Sequence, residues 1–311
     1  STAEDTSLGL TLTGSDGDSE VAQVLTFAIA TGPTNGTLQG FNSATGAVTY
    51  VPNSNYNGAD SFTFTVTDDA AAGATAGLTS TPATISITVT AVNDTPTAVT
   101  QTVTTAEDTQ LVITLTGSDI EGDALTFAVA AGPANGSVGS ITQLTPTSAQ
   151  ITYTPGADYN GSDSFTFTVN DGVATSVAAA VNITVTPVND GPTAISQNVS
   201  TPEDSPITIT VSGSDVDGDA LTFALASAPA HGSVGNFLQV SPSTVQINYL
   251  PNPNYTGSDS FSFTVNDGAI TSAAAVVSIT LTPVNDPPLA IGATLTTAED
   301  TVGTGQLTAT D

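Results

Sequence analysis

An all-β chain of tandem antiparallel Greek-key β-sandwich domains, about seven strands each, is the fold class this sequence predicts. Three observations carry that reading. The sequence repeats itself with a period near 96 residues, apolar residues alternate with Thr and Ser along strand-length runs, and glycine-containing turn dipeptides separate the runs. No stretch shows the 3.6-residue period of a helix.

The repeat is read from two markers. Thr2-Ala3-Glu4-Asp5 returns at Thr105 to Asp108, as Thr201-Pro202-Glu203-Asp204, and again at Thr297 to Asp300, so that the glutamates stand at 4, 107, 203 and 299, with spacings of 103, 96 and 96. Val92-Asn93-Asp94 recurs as Val188-Asn189-Asp190 and Val284-Asn285-Asp286. The markers divide the chain into three units, 1–94, 95–190 and 191–286, with 287–311 as the opening strands of a fourth. The extra residues of the first unit fall mostly in the Ala- and Gly-rich stretch 69–78, which reads as a lengthened loop. Solenoid repeats are only ~20 to 50 residues long, so a unit of this length implies an autonomous small β domain.

In the second unit the alternation places strands near 110–115, 125–130, 136–144, 150–154, 164–170 and 176–186, with a short entry strand expected after Pro192 for the next unit. Gly132-Pro133, Asn135-Gly136, Asn160-Gly161 and Asp171-Gly172 stand between strands as turns, where glycine can supply a positive φ. Phe127, Tyr153, Tyr159, Phe165 and Phe167 recur as Phe27, Tyr50, Tyr56, Phe62 and Phe64 and as Phe223, Tyr249, Tyr255, Phe261 and Phe263. Alternation with Thr and recurrence in every unit make them sandwich core rather than a carbohydrate platform. Phe41 and Phe237 fall outside the set, and the single histidine, His231, occupies the turn position of Asn135.

The length of 311 residues suits two or three domains. Composition narrows function sharply: 29 Asp and Glu stand against no Lys, no Arg and one His, a formal charge of −29. Nucleic acid and anionic membrane are excluded as partners, because binding either rests on Lys and Arg. Catalysis by a Lys, an Arg clamp or a Cys nucleophile is excluded by the absence of those residues, and the chain reads as non-enzymatic. Without Cys or a His cluster there is no disulfide framework and no zinc site. Apolar runs such as 177–181 and 273–277 are far shorter than the ~20 residues that span a bilayer, so no membrane insertion is expected. Beginning at Ser1, the sequence reads as a piece of a longer chain.

The acids gather at recurring places: Glu107 and Asp108, then Asp119, Glu121 and Asp123, then Asp163, Asp171 and Asn189-Asp190. These are strand ends, which in a sandwich lie at its poles. Two carboxylates ~4 Å apart repel by about 1 kcal/mol in water and about 4 at an effective dielectric of 20, so a junction crowded with them opens unless cations neutralise it. Ca²⁺, which takes six to eight hard oxygen ligands, fits such a cluster better than Mg²⁺. Asp215-Val216-Asp217-Gly218-Asp219 looks like the start of an EF-hand loop. However, Ala220 holds the sixth position, where Gly is needed, and Ala226 the twelfth, where a bidentate Glu is needed. Thr105 to Asp108 fits a helix capping box, yet the residues after it alternate as a strand.

The order Thr-Ala-Glu-Asp, Gly-Ser-Asp-Val-Asp-Gly-Asp-Ala-Leu-Thr-Phe, Asn-Gly, Ser-Phe-Thr-Phe-Thr-Val-Asn-Asp-Gly and Pro-Val-Asn-Asp-Pro resembles the bacterial cadherin-like tandem repeats of large calcium-dependent surface adhesins, over essentially the whole chain. In cadherins calcium sits at the domain junction, between acids of one domain, an Asn-Asp linker, and an Asp-x-Asp plus a later Asp of the next. The resemblance therefore implies a first set of Glu4, Asp5, Asp60, Asn93, Asp94, Asp119, Glu121 and Asp171. The implied second set is Glu107, Asp108, Asp163, Asn189, Asp190, Asp215, Asp217 and Asp267, and the third is Glu203, Asp204, Asp259, Asn285, Asp286 and Asp311. The first unit departs from the pattern with Gly17-Asp18-Ser19-Glu20 in its acidic loop.

The function these readings imply is that of a non-enzymatic extracellular stalk of a bacterial adhesin or biofilm matrix protein. Its partners are calcium ions and flanking repeats of the same longer chain, and it sits at the cell surface or is secreted. Two alternatives stay open: the body of an extracellular filament or sheath, in which identical chains complete each other's sheets, and a glycan-binding module.

Overall fold

The computed structural model describes residues 1–16, 23–69 and 77–310. All regular structure among them is β-strand. The chain forms two compact units, Ser1–Thr186 and Pro187–Asp311. The first holds two hydrophobic cores, one drawn from residues 12–89 and one from 113–185, and the second holds a core drawn from 209–281.

Residues 97–186 show how the sequence makes a sandwich. One sheet runs in the order Thr126–Ala131, Gly161–Asn170, Ala179–Thr186 and Gln101–Ala106; the other runs Gly136–Val138, Ser148–Pro155, Leu111–Ser118 and Thr97–Ala98, with Thr142–Thr145 also paired to Ser148–Pro155. Along Gly161–Asn170 burial alternates, so Asp163, Phe165, Phe167 and Val169 point inward. Across the hairpin Phe165 pairs with Val181 and Phe167 with Ala179. On the facing sheet Leu111 pairs with Tyr153, Ile113 with Ile151 and Leu115 with Ala149. Each large side chain buried this fully contributes about 1.5–3 kcal/mol. The third repeat reproduces both sheet orders strand for strand, and the first repeat keeps a reduced form with sheets of four and three strands.

The recurring aromatics take the core positions their alternation implies. Tyr153, Phe165 and Phe167 are fully buried, with Phe127 and Tyr159 packed at the core's edge. Phe127 stacks on Phe167 at 6.2 Å between ring centroids, as Phe223 does on Phe263 at 6.0 Å. Phe41 and Phe237, although outside the recurrence, also pack against their cores.

Three local expectations change. A strand at Gln101–Ala106 precedes the expected first strand, and it pairs in parallel, not antiparallel, with Ala179–Thr186 over six residues. Its sequence, Gln-Thr-Val-Thr-Thr-Ala, has one large apolar residue, too few to show a period. The expected strand at 136–144 is broken into Gly136–Val138 and Thr142–Thr145, both laid along Ser148–Pro155, with the Gly139 N–H bonded to Thr152 O at 2.9 Å between them. Finally, Gly161 and Gly172 do adopt positive φ, +131° and +103°, but Gly136 is needed for closeness: a Cβ there would sit 2.6 Å from Thr154 O and 2.7 Å from the Tyr153 ring.

Candidate cation sites

The parallel ladder positions the early glutamates. Past the end of Gln101–Ala106 the Glu107 N–H bonds to Thr186 O at 3.0 Å, and Glu4 and Glu203 do the same to Thr90 O and Thr282 O at 3.0 and 2.9 Å. Each glutamate thus lies where the last strand of its own repeat becomes the linker. All three are buried, at 3–5% exposure. The next residue turns the chain back in the left-handed region, with φ of 58°, 54° and 59° at Asp5, Asp108 and Asp204. Aspartate tolerates this conformation because its short side chain bonds locally. Each clips a facing turn, accepting the N–H of Asn55, Asp158 or Asn254 at 3.0–3.2 Å. These three aspartates are exposed.

In the first unit, residues 92–94 each bond to a different carboxylate. Val92 N–H donates to Glu4 Oε1, Asn93 Nδ2 donates to Asp171 Oδ2 at 3.0 Å, and Asp94 N–H donates to Glu121 Oε2 at 3.4 Å. Four carboxylate oxygens of the first implied set are buried without any hydrogen-bond partner: Glu4 Oε2, Asp94 Oδ2, Asp119 Oδ2 and Glu121 Oε1. A buried charge without a partner is expensive, and no Lys or Arg exists to supply one. Hard carboxylate donors with orphaned oxygens are what a calcium ion needs, so these residues fit the cation that the sequence implied.

The second unit repeats parts of this arrangement. Asn189 Nδ2 donates to Asp267 Oδ2 at 2.9 Å, and Asp190 N–H to Asp217 Oδ2 at 2.8 Å. Asp215, Asp217 and Asp219 bring one oxygen each within 4.8 Å of the others. The loop closes by an Asp219 N–H bond to Asp215 Oδ1 at 3.1 Å, with Gly218 at φ +80°. Asp219 was absent from the implied set, although its i, i+2, i+4 spacing with Asp215 and Asp217 was visible in the sequence. Asp123 closes the equivalent loop on Asp119 at 3.0 Å.

The implied second set divides between the units: Glu107, Asp108 and Asp163 lie in the first, and Asn189, Asp190, Asp215, Asp217 and Asp267 in the second. In the third set Glu203 Oε1 accepts Val284 N–H at 2.8 Å and Asn285 Nδ2 donates to Asp286 O at 3.2 Å. Asp311 lies outside the described residues.

Asp60, Asp163 and Asp259, expected as ligands from the resemblance to cadherins, have both oxygens engaged by donors of their own domain. Asp163 Oδ1 accepts the N–H groups of Ala134 and Ser164, and Oδ2 accepts that of Asn135 and the Tyr153 hydroxyl, at 2.8–3.1 Å. Asp60 does the same with Thr34, Ser61, Asn35 and Tyr50, and Asp259 with Ala230, Ser260, His231 and Tyr249. Four donors engage each carboxylate, and each tyrosine lies ten residues before its aspartate. Burial pushes these carboxyls up, but the tyrosine hydroxyl and three N–H groups outweigh it and hold them below the usual range. Burial, then the bonded carboxylate, pushes each tyrosine well up.

The sequence and its sheets can be set beside known proteins. A bacterial Ig domain profile matches residues 93–184 and 189–280, more than half of the chain, and a bacterial cadherin-like domain profile matches 1–91. The chain belongs to the bacterial Ig-domain family. Its bacterial Ig domains are similar in fold to protocadherin gamma B7 extracellular domains 3–6 (TM-score 0.56, 12% identity, covering 95% of this chain and 75% of that one). Protocadherin gamma B2 domains 3–6 are similarly related (TM-score 0.55, 15% identity, covering 95% and 74%). Over 113 residues, 32% of the chain, it is 34% identical to integrin beta-like protein A of Dictyostelium discoideum, and it spans 6% of that protein's length. Domains of these families are typically extracellular structural modules, and cadherin-like domains generally bind calcium.

Proposed function

We propose that this chain is a calcium-stiffened segment of an extracellular adhesion stalk, with domains at 1–94, 95–190 and 191–286 and the start of a further one at 287–311. One observation carries the reading. Glu4, Asp94, Asp119 and Glu121 keep buried oxygens without hydrogen-bond partners around a three-residue linker, in a chain with no Lys or Arg. Calcium bound there supplies the missing positive charge, and the carboxylates orient toward it from both flanking domains. Within the second unit, Asp215, Asp217 and Asp219, whose oxygens lie within 4.8 Å of one another, and Glu203 and Asp286 at the last linker are further proposed ligands. Asp5, Asp108 and Asp204 would supply outer oxygens.

The parallel pairing of first and last long strands supports a stalk. Both strands run the same way, so the chain enters each domain at one pole and leaves at the other. Ions that bind only the assembled junction stabilise it by mass action. With dissociation constants of ~10⁻⁴–10⁻³ M and millimolar external calcium, each contributes about 0.5–2 kcal/mol. The similarity to an integrin beta-like protein supports a place in adhesion, and an adhesin or a biofilm matrix protein is the carrier we infer.

Small-angle scattering and thermal unfolding, each with calcium and with chelator, test the reading. A longer maximum dimension and a higher melting temperature in calcium are expected. Identical profiles and melts in both conditions remove calcium from the function.

A further inference from the structure

The acidic residues at these linkers differ in whether their oxygens meet hydrogen-bond donors. Asp171 has no orphaned oxygen. Its Oδ1 accepts the N–H groups of Val173 and Ala174 at 2.6 and 2.7 Å, and its Oδ2 accepts Asn93 Nδ2 at 3.0 Å. The same Asn93 amide nitrogen donates to Asp94 O at 2.8 Å. In the second unit Asp267 accepts Ala269 and Ile270 N–H at 2.6 Å and Asn189 Nδ2 at 2.9 Å, while Asn189 donates to Asp190 O at 3.1 Å. Which end of an amide faces a given group follows from the network around it. Here two acceptors face the asparagine, so the NH₂ end, with two donors, is the end that fits.

We infer that Asn93–Asp171 and Asn189–Asp267 are cation-independent latches: each linker asparagine ties its own turn to the aspartate of the following domain with amide hydrogens, where a cadherin-like junction would place a cation. The latch sets the linker in register before any ion arrives and leaves cation capture to the carboxylates with unpaired oxygens. This assignment rests on the calcium-binding reading above for its division of labour, but not for the latch itself. Turning the asparagine over would set Asn93 Oδ1, Asp94 O and Asp171 Oδ2 face to face, an arrangement only a cation could hold. The count of bound ions therefore discriminates between the two.

The test uses the whole chain with Asp171→Asn, which keeps an oxygen for Val173 and Ala174 but turns a donor toward Asn93, and with Asn93→Ala as a second variant. Calcium titration calorimetry counts ions per chain, and amide hydrogen exchange of residues 92–94 in chelator reads the linker without ions. The expected result is an unchanged ion count, affinity within about threefold of wild type, and at least tenfold faster linker exchange in chelator in both variants. Loss of a bound ion in Asp171→Asn would overturn the latch by making Asp171 a ligand, and unchanged exchange in chelator would overturn it by showing that the bond holds nothing. If wild type binds no calcium, the function proposed above fails while the exchange measurement still decides the latch.

Discussion

Two carboxylate-rich regions of the first unit meet the same problem in opposite ways. At Asp163, inside the sandwich, one charge meets four neutral donors and every lone-pair direction is used. At the linker, Glu4, Asp94, Asp119 and Glu121 each keep an oxygen without a donor. A chain without Lys or Arg can stabilise a buried carboxylate only with N–H and O–H groups or with an ion from solution. The interior uses the first means and is complete on folding; the linker oxygens lack the first and leave room for the second.

The strongest way to break this contrast is Asp163→Ala, which orphans the Tyr153 hydroxyl and three N–H groups. The second domain should lose roughly 3–5 kcal/mol, read as an earlier denaturant transition in chelator. Tyr153→Phe should lose about 1.5–3 kcal/mol, and its calcium count should not change. A drop in that count would make Asp163 a cation ligand.

Acid separates the two regions next. Asp60, Asp163 and Asp259 have carboxyls held below the ordinary range in the folded state. Their contribution is fully present above the unfolded value, about pH 4, and is lost as pH falls through the lower folded value. Unfolding free energy measured in chelator should therefore hold down to about pH 4 and fall below it. A loss centred near neutral pH would contradict the assignment.

A smaller effect changes sign with the ion. Glu121→Gln should lower the melting temperature in calcium by removing a ligand. In chelator it should raise it, because a crowded carboxylate is neutralised and repulsion of about 1 kcal/mol is relieved. The same sign in both conditions would place Glu121 outside the cation site.

The smallest effect concerns a difference between repeats. His231 stacks on Tyr255 at 3.9 Å and 8°, whereas Asn135 in the second repeat donates to the Tyr159 hydroxyl at 3.0 Å. Both side chains cover the same tyrosine, so His231→Asn should change stability by about 0.5 kcal/mol or less and leave calcium binding unaltered.

Much of this was legible from the residues alone. Phe165, Phe167 and Val169 declared their inward face because alternation is local, and each neighbour two residues away reports the same side. The acidic groups at strand ends, Asp119 with Glu121 and Asp215 with Asp217, were also visible, because such clusters show along the chain. The Gln101–Ala106 strand escaped because its ladder partner lies about 80 residues away and its own apolar content is a single valine. The four donors around Asp163 were not legible because a carboxylate's partners are set by tertiary structure, although the ten-residue Tyr–Asp spacing in all three repeats was a visible sign of one of them.

The amino-acid order by itself determined the repeat, the sheet-on-sheet architecture and the absence of Lys and Arg, since each is a matter of period or composition. Only the folded arrangement decided which carboxylates meet donors and which are left open. Hydrogen bonds act over about 3 Å, and the groups that come that close here, Asn93 and Asp171 or Tyr153 and Asp163, are brought together by strand pairing and turns rather than by their positions in the chain.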